Sequence, residues 1–323
     1  MMKKIVYIIL LTCLFSESQN LGRTSAVFLG NGIGSRAMAM GGAFTAMTND
    51  PSTLYWNPGA ISSSKNNQFQ ISNVGWFFDT RWISGSYIHK LDDYSAVAAN
   101  MLYLDIGEEE RTDEYNQDGT GTYWSAYDFS AGLYYSRQLT NRFSFGLGGK
   151  MIRQVIDLAS ASSAAIDLGL LYQTDDNLRL GVSISNIGFD MKLQGDGLNA
   201  DCNSNNDCSY DTEAYPLPVF YRVGIAKDFQ LNQSLVTTAS LDWVIPSDDV
   251  EHLNLGFELD YKNKFFLRCG YRQIGKNDSE EGLTFGFGGN IFIIGKEIGI
   301  NYTYQEFGEL EGYVQYFEFI FNL

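Results

Sequence analysis

The stretch Arg142-Phe-Ser-Phe-Gly-Leu-Gly-Gly-Lys-Met151 alternates large apolar side chains with small or polar ones. The apolar set is Phe143, Phe145, Leu147 and Met151, and the set between them is Arg142, Ser144, Gly146, Gly148 and Lys150. Because successive side chains of a strand point to opposite faces, this stretch predicts a strand with one apolar face and one polar face. About ten residues are also enough for a tilted strand to cross a bilayer.

The same alternation recurs along the chain from Gln68 onward. It marks fourteen segments, centred on Ile71, Gly85, Ala98, Leu133, Leu147, Leu168, Val182, Val223, Ala239, Phe257, Leu267, Phe287, Ile300 and Phe317. Soluble β-sandwiches also contain repeated alternating strands, so the repetition alone predicts only an all-β protein. The connections between the segments decide between a sandwich and a barrel.

The connections sort by length. Short turns follow even-numbered segments at residues 139–141, 174–176, 262–263 and 294–296, and long or acidic connections follow odd-numbered segments at residues 105–121, 187–215, 246–250 and 274–281. Outer-membrane barrels have short turns at the periplasmic rim and long loops at the outer rim, whereas a sandwich has no reason for such sorting. The sequence therefore predicts a fourteen-stranded antiparallel transmembrane β-barrel. The even strand number predicts that both chain termini lie at the periplasmic rim.

Composition and the start of the chain favour an exported membrane protein. Hydrophobic residues make up 45% of the chain and the mean hydropathy is -0.15, yet no apolar run reaches the roughly eighteen residues that a spanning helix needs. Residues 1–18 combine Lys3 and Lys4 with a short apolar run and a small-residue end, which predicts a cleaved signal peptide; lipidation at Cys13 is the alternative, disfavoured by Thr12. The net charge of -16 makes nucleic acid a poor partner. We expect the protein in the outer membrane of a Gram-negative-type bacterium, surrounded by outer-membrane lipid.

The polar faces of the predicted strands carry charges of both signs. They include Asp167, Arg179, Arg222, Asp242, Glu258, Asp260, Arg268, Arg272 and Glu318, interleaved with Gly146, Gly169, Gly181, Gly224, Gly256, Gly286 and Gly299. Mixed charge favours pairing inside the barrel over an ion-selective channel. Glycines within strands indicate a bend in the wall or the close approach of another segment. The tight turn at residues 262–264 predicts that Glu258 lies opposite Arg268.

The sequence shows no catalytic pattern. The only histidines, His89 and His252, lie near predicted strand ends, and no serine or cysteine accompanies them at the spacing of a nucleophile. Gly30-Asn-Gly-Ile-Gly34 resembles part of a dinucleotide loop but lacks the βαβ context that gives such a motif meaning. The three glutamates at residues 108–110 predict a solvated loop. We therefore expect no enzymatic activity.

One predicted loop has a pattern that suits a hard cation. Its oxygen side chains occur at alternate positions, Asp201, Asn203, Asn205 and Asp207. Calcium loops have this spacing, because the ion needs about six to eight oxygens that converge on one point. The flanking Cys202 and Cys208 predict a local disulfide in an oxidising compartment, with Cys269 unpaired. The alternative to calcium binding is a solvated acidic loop closed by that disulfide, since no glycine occupies the sharp-turn position.

The most specific motif lies before the first strand. It is Gly34-Ser-Arg-Ala-Met-Ala-Met-Gly-Gly-Ala-Phe-Thr-Ala-Met-Thr-Asn-Asp-Pro51, followed by Ser-Thr-Leu-Tyr-Trp-Asn-Pro-Gly-Ala-Ile61. This motif, together with residues 103–112, 136–144, 150–154 and 179–188, resembles the PorV/PorQ family, relatives of the FadL-type outer-membrane barrels. Gly59 departs from the family pattern, in which alanine usually stands here.

The resemblance implies an N-terminal hatch in the lumen of the barrel. The chain then divides into a signal peptide at residues 1–18, a hatch at residues 19–64 and a transmembrane β-barrel at residues 65–323. The residues placed in the hatch are Arg36, Gly41, Gly42, Asp50, Trp56, Asn57 and Pro58, which either gate the lumen or only fold the hatch. The resemblance also implies an accessory of type IX protein secretion that binds the translocon, or secreted cargo proteins through their C-terminal domains.

The alternative function is that of a FadL-like passive transporter, which moves hydrophobic small molecules across the outer membrane. Such a transporter needs an apolar lumenal pocket that leads to a side opening. The charged and glycine-rich polar faces of the strands disfavour this alternative.

Overall fold

The computed structural model describes residues 22–200, 208–277, 279–293, 295–308 and 312–323, so the predicted signal peptide lies outside the described chain. Within these ranges the chain forms fourteen long strands, β1 to β14. In order they are Gln68–Gly75, Arg81–Lys90, Ser95–Glu110, Tyr123–Thr140, Phe143–Ile156, Ala159–Gln173, Leu178–Gly188, Phe220–Asn232, Leu235–Pro246, His252–Tyr261, Phe265–Ile274, Glu281–Ile293, Lys296–Phe307 and Gly312–Asn322. Each strand contains one of the predicted centres.

The fourteen long strands of the described chain form one closed antiparallel sheet. Neighbours in sequence pair with each other, and β1 pairs with β14 from Gln68 opposite Asn322 to Gly75 opposite Gln315. Closure removes the unpaired strand edges that hydrocarbon does not tolerate. The prediction of a fourteen-stranded antiparallel barrel is confirmed.

The two faces of the wall separate as the alternation predicts. Leu267 on β11 is 62% exposed on the outside, whereas its neighbour Arg268 is 5% exposed and points into the lumen. On β5, Leu147 is exposed and Lys150 is buried. In an outer-membrane barrel the exposed apolar face contacts the lipid acyl chains.

The connections define two rims. Those that follow even-numbered strands are short and form the periplasmic rim, and the opposite, outer rim carries the long connections at residues 111–122 and 189–219. One outer connection departs from the predicted sorting, because only Asp157 and Leu158 join β5 to β6. Asp157 makes this tight turn possible with a left-handed φ of 55°.

The wall is tallest along β3 and β4, and this corrects one prediction. Pairing of β2 with β3 ends at Arg81 opposite Asp105, whereas pairing of β3 with β4 continues to Glu110 opposite Tyr123. The glutamates at residues 108–110 therefore lie on a strand, and the prediction that they form a loop is wrong. We call residues 106–110 of β3 and 123–126 of β4 the outer ribbon.

Residues 26–64, the lumenal segment, fill the inside of the barrel. They contain α1 (Ser35–Ala39), α2 (Thr53–Trp56) and the 3-10 helices Val27–Gly30 and Pro58–Ser63. Asn57 caps the second 3-10 helix, because its side chain accepts a 2.9 Å hydrogen bond from the N–H of Gly59. Core side chains of this segment include Phe28, Met38, Phe44, Leu54 and Ile61. The hydrophobic core therefore lies within the lumen.

The chain before β1 crosses the barrel from one rim to the other. The N–H of Gly22 donates to the carbonyl of Asp248 at 3.2 Å on the outer rim. At the other end of the segment, Lys90 Nζ donates to the carbonyl of Ser62 at 2.9 Å near the periplasmic rim. The described chain therefore enters the lumen from the outer rim, whereas its last residue, Leu323, lies at the periplasmic rim, where its N–H donates to the carbonyl of Asn67 at 2.9 Å. The N-terminus, which is predicted to lie at the periplasmic rim, falls outside the described residues.

In the described ranges no helix is both long and apolar enough to cross a membrane. Among the same residues, no group of three or more histidine, cysteine, aspartate or glutamate side chains is placed to hold a metal ion. The predicted calcium ligands, Asp201, Asn203, Asn205 and Asp207, lie outside the described residues, as does Cys202 of the predicted disulfide with Cys208. Cys269 is a free cysteine.

Candidate functional site: the contact between the lumenal segment and the wall

The lumenal segment meets the wall where the strands carry glycine. At seven strand glycines an added Cβ would approach the lumenal segment to between 2.1 and 2.9 Å. Gly146 and Gly169 lie against residues 57–59, Gly181 and Gly224 against residues 45–46, and Gly256, Gly270 and Gly286 against residues 39–41. We call these seven positions the glycine track. At Gly181 the nearest atom is the backbone oxygen of Thr45 at 2.1 Å, so even alanine would displace the segment. Gly299 differs, because an added Cβ there would face other residues of the wall.

Arg36 of α1 joins the lumenal segment to the charged part of the wall. Its guanidinium donates two hydrogen bonds of 2.7 Å, one to each carboxylate oxygen of Glu258 on β10. Arg268 on β11 donates from Nε to the same carboxylate at 2.7 Å, and the strand register places it opposite Glu258, as the turn predicts. Two arginines therefore share one buried carboxylate. Bidentate, charge-assisted pairs of this kind are among the stronger hydrogen bonds in proteins.

Further hydrogen bonds lead from Arg268 back to the lumenal segment. Arg268 Nη1 donates to Asn301 Oδ1 at 2.8 Å, and Asn301 Nδ2 donates to Glu318 Oε1 at 2.9 Å. The other carboxylate oxygen of Glu318 accepts the N–H of Ser35 at 2.7 Å. The network therefore begins and ends on two consecutive residues of the segment, Ser35 and Arg36.

Asp242 and two glycines define the turn after α1. Asp242 Oδ2 on β9 accepts the N–H groups of Phe44 at 2.9 Å and Thr45 at 2.8 Å. Gly41 and Gly42 have φ angles of 65° and 72°, which residues with a Cβ rarely adopt. An added Cβ at Gly41 would also lie 2.7 Å from backbone atoms of the wall. The turn therefore requires both glycines of the motif.

Asn57 and Trp56 hold the second half of the segment. Asn57 Nδ2 donates to the carbonyl of Thr45 at 2.8 Å and to the carbonyl of Leu170 at 2.9 Å. One side-chain amide thus connects the segment both to itself and to β6. Trp56 Nε1 donates to the carbonyl of Ile33 at 3.0 Å, which ties α2 to the chain before α1.

Asp50 and Pro58 have local roles in the same segment. Asp50 Oδ1 accepts the N–H of Ser52 at 2.9 Å and its hydroxyl at 2.6 Å, and Asp50 Oδ2 lies 3.9 Å from Arg36 Nη1. The backbone of Pro58 lies against Gly146, where an added Cβ would approach it to 2.2 Å. The structure thus brings all the residues predicted for the hatch into the lumen, in contact with the wall or with each other.

The other lumenal charges pair mostly within the wall. The ion pairs are Lys150 with Asp167 at 2.8 Å, Arg179 with Asp228 at 2.6 Å and Arg272 with Glu281 at 2.6 Å. Arg222 instead places its guanidinium over the rings of Tyr55, Trp56 and Phe220, with distances to the ring centres of 5.5, 5.5 and 4.6 Å. This cation–π contact connects the wall to α2.

Two acidic partners were missed at the level of sequence. Asp228 lies on β8 at an even spacing from Arg222, so the two-residue period would have placed it on the lumenal face. Glu281 was assigned to the connection at residues 274–281, but it is the first residue of β12 and pairs with Arg272.

One cavity in the lumen has a mainly polar lining. A cavity of about 310 Å³ near the periplasmic rim has among its lining residues Arg36, Asp50, Arg179, Asp228, Glu258, Asp260 and Arg268. A cavity with an apolar lining lies instead on the lipid-facing side, bounded by Leu267, Phe285 and Phe287. Charged and amide side chains outnumber the apolar residues of the lining, Met47, Val236, Phe266 and Ile320, so the lumenal cavity offers a hydrophobic ligand little apolar surface.

Family and structural comparisons agree with this architecture. The family described as "Type IX secretion system protein PorV" matches residues 15–240, which is more than half of the chain. The chain belongs to the PorV family. The matched residues include the whole lumenal segment and the strands from β1 to β8.

Solved structures of a FadL homologue, a toluene transporter and a monoaromatic hydrocarbon channel share the fold. The Pseudomonas putida toluene transporter TodX is 15% identical with a TM-score of 0.59, over 90% of this chain and 99% of that chain. A Pseudomonas aeruginosa FadL homologue is 14% identical with a TM-score of 0.54, over 88% and 96%. The CymD monoaromatic hydrocarbon channel is 12% identical with a TM-score of 0.56, over 90% and 96%. No curated protein matches the sequence. The family and the barrel fold place the protein in the outer membrane.

Proposed function

We propose that this barrel is a protein-binding accessory of type IX secretion and catalyses no reaction. The observation that carries the proposal is the filled lumen, in which the lumenal segment lies on the glycine track and Arg36 shares Glu258 with Arg268. A lumen filled in this way leaves the loops and rims as the surfaces available for function. Membership of the PorV family supports type IX secretion as the process that the barrel serves.

The outer rim supplies the binding surface in this proposal. The long connections and the outer ribbon project from that rim, whereas the periplasmic rim has short turns. The partners would be the translocon, or secreted cargo proteins recognised through their C-terminal domains. Export of the barrel to this position requires removal of the signal peptide predicted at residues 1–18.

The second candidate is passive transport of hydrophobic small molecules. The fold shared with TodX, described as a toluene transporter, and with CymD, described as a monoaromatic hydrocarbon channel, favours it. The lumenal cavity disfavours it, because arginine and carboxylate side chains line the space where a transporter needs apolar groups.

Co-purification in mild detergent, combined with an uptake assay, tests the proposal. We expect a large translocon protein or folded cargo to co-purify with the barrel from its native outer membrane, and cargo to stay inside cells that lack the barrel. Toluene uptake by the same cells should not change. A barrel that purifies alone, and whose loss slows toluene uptake while cargo is still secreted, would contradict the proposal and support transport.

A further inference from the structure

The outer ribbon has an unpaired strand edge. Beyond Asp105, β3 pairs only with β4, because its pairing with β2 ends at Arg81. Within the described part of the chain, no backbone hydrogen bond reaches residues 106–110 from the β2 side. Residues 106–109 are exposed, so no described residue covers this edge of β3.

The ladder between β3 and β4 determines which backbone groups face the open edge. The N–H of Arg111 donates to the carbonyl of Thr122 at 2.8 Å, so the backbone of Arg111 faces β4. Backbone groups alternate in direction along a strand. Glu109 therefore also faces β4, whereas the N–H and C=O groups of Glu108 and Glu110 face the open edge. These are the groups to which an added strand would bond.

The open edge is acidic. Glu108, Glu109 and Glu110 lie on the ribbon, and Asp113, Glu114 and Asp118 lie in the connection beyond it. The side chain and N–H of Asn116 and the N–H of Tyr115 donate to Asp113, and these hydrogen bonds lower the pKa of its carboxyl group below the usual value. A second copy of this chain, with its net charge of -16, would be repelled from the edge. A basic strand would be attracted.

A strained aromatic residue lies in the neighbouring connection of the outer rim. Phe78, between β1 and β2, is 81% exposed with a φ of 53°, and Asp79 follows at 60°. Left-handed φ angles in bulky residues cost free energy and recur at binding sites. Trp76 and Phe77 fix this loop, since their rings pack on Phe307 with centroid distances of 5.7 and 4.6 Å. Because β2 pairs with β3 up to Arg81 opposite Asp105, this connection is the neighbour of the outer ribbon along the rim.

We propose that the open edge of β3 binds an extended basic segment of a partner protein, which adds to the outer ribbon as a further strand. Glu108 and Glu110 supply the main-chain hydrogen bonds, carboxylates of the ribbon pair with lysine or arginine side chains, and Phe78 contacts an apolar side chain. Strand addition takes affinity from the backbone and selectivity from the side chains. The inference rests on the proposed function, because a barrel that only transports small molecules needs no such edge.

A short peptide with blocked ends, alternating lysine and valine, tests the proposal on the full-length barrel in detergent micelles. We expect this peptide to bind. A matched peptide with glutamate in place of lysine, and one with N-methyl groups on successive residues, should each bind at least roughly tenfold more weakly. The first comparison tests the charge of the segment and the second tests backbone pairing. No binding at millimolar peptide would overturn the proposal.

Amide hydrogen exchange distinguishes strand addition from simple charge attraction. Bound peptide should slow exchange at the N–H groups of Glu108 and Glu110 and leave that of Glu109 unchanged, because Glu109 already faces β4. Peptide binding that leaves exchange at Glu108 and Glu110 unchanged would also overturn the proposal.

Paired substitutions test the charge of the edge. Glu108→Gln with Glu110→Gln should weaken peptide binding roughly tenfold, since two carboxylates next to the added strand are lost. The control, Asp93→Asn with Asp175→Asn, removes the same charge from the periplasmic rim and should bind like the unchanged barrel. If both pairs of substitutions weaken peptide binding equally, the net charge of the barrel is responsible, and the proposed binding site at the open edge is wrong.

The peptide experiments and the co-purification experiment can fail independently. If secretion proteins co-purify with the barrel but the lysine–valine peptide fails to bind the edge, only the strand-addition proposal fails. If the peptide slows exchange at Glu108 and Glu110 but no secretion protein co-purifies, only the proposed function fails.

Discussion

The lumenal segment meets two contrasting groups of strands. We call β9 to β14 the charged half and β1 to β4 the serine half; β5 to β8 lie between them. On β9 to β14 the contacts are charged, because Glu258 binds Arg36, Glu318 accepts the N–H of Ser35, and Asp242 accepts two N–H groups of the segment. On β1 to β4 the buried lumenal side chains include a series of small hydroxyls, Ser72, Ser84, Ser86, Ser130 and Ser136.

The hydrogen bonding of the two halves differs as much as their charge. The buried hydroxyls of Ser72 and Ser86 have no hydrogen-bond partner among the described residues, whereas both carboxylate oxygens of Glu258 are bonded. A charged, bidentate contact accepts one alignment of its partners, but a hydroxyl can rotate to serve several. The difference teaches that the position of the lumenal segment is specified mainly by the charged half, while the serine half leaves it less constrained.

Removal of the shared carboxylate should have the largest effect. Glu258→Ala leaves Arg268 buried without a counter-charge and leaves Arg36 with only the more distant Asp50, at 3.9 Å, which should cost about 3–5 kcal/mol of stability. The temperature at which the barrel loses its fast-migrating folded band on gels should fall accordingly. Glu258→Arg with Arg268→Glu should recover only part of the loss, because Arg36 would then face an arginine. If Glu258→Ala leaves this temperature unchanged, the charged half does not determine the position of the lumenal segment.

A substitution on the outer face of β11 tests the assignment of the two faces of the wall. Leu267 neighbours Arg268 but lies on the outer face of β11. Leu267→Arg therefore exposes a charge to hydrocarbon and should destabilise the barrel, by at most about 2–4 kcal/mol, the cost at the bilayer midplane. Urea unfolding in lipid vesicles measures this cost. The lumenal control Asn254→Ser should lose clearly less. If Leu267→Arg leaves stability unchanged, the assigned face of β11 is wrong.

The glycine track should resist a larger side chain. Gly181→Val would push against the carbonyl of Thr45, and overpacking of this kind costs about 1–3 kcal/mol. Amide exchange in residues 44–47 should speed up, because the segment must move away from β7. Gly85→Val is the matched control, since the nearest atom to an added Cβ there is 3.9 Å away. Equal effects of the two variants would mean that the track does not seat the segment.

The smallest change in stability should come from a substitution in the serine half, and it should be stabilising. Ser72→Ala removes a buried hydroxyl that has no partner within the described ranges, so stability should stay level or rise by up to about 1 kcal/mol. Ser136→Ala is the control and should destabilise by about 1 kcal/mol, because that hydroxyl accepts the N–H of Ser62 at 3.2 Å. The folded-band assay on gels reports both. Equal losses in the two variants would show that Ser72 is hydrogen-bonded to ordered water.

The sequence was sufficient to predict the wall but not the contacts across the lumen. A strand that separates lipid from a polar lumen must alternate, and a tight turn fixes the register of the strands beside it, so Glu258 opposite Arg268 could be predicted. The hydrogen bond from Ser35 to Glu318 joins residues 283 positions apart, and no local pattern specifies such a pair. The glycines predicted that some segment comes close, but not which residues of it touch which strand.

The outer ribbon was missed for a related reason. Neither face of the ribbon at residues 108–109 is buried against the protein, and consecutive glutamates suit water on both sides, so the side chains of residues 108–110 have no cause to alternate between apolar and polar. The period-two signal therefore ends where the membrane ends, although the β3–β4 ladder continues to Glu110 opposite Tyr123.

The route of the lumenal segment limits the order in which the barrel can assemble. The chain passes from the outer rim through the lumen to the start of β1, and β1 is held on its far side by β14, the last described strand. Proteins rarely thread a chain through a finished ring. The sheet must therefore wrap around residues 26–64 and close only when β14 arrives. Because those residues precede every long strand in the sequence, the segment that fills the barrel comes before the strands that form around it.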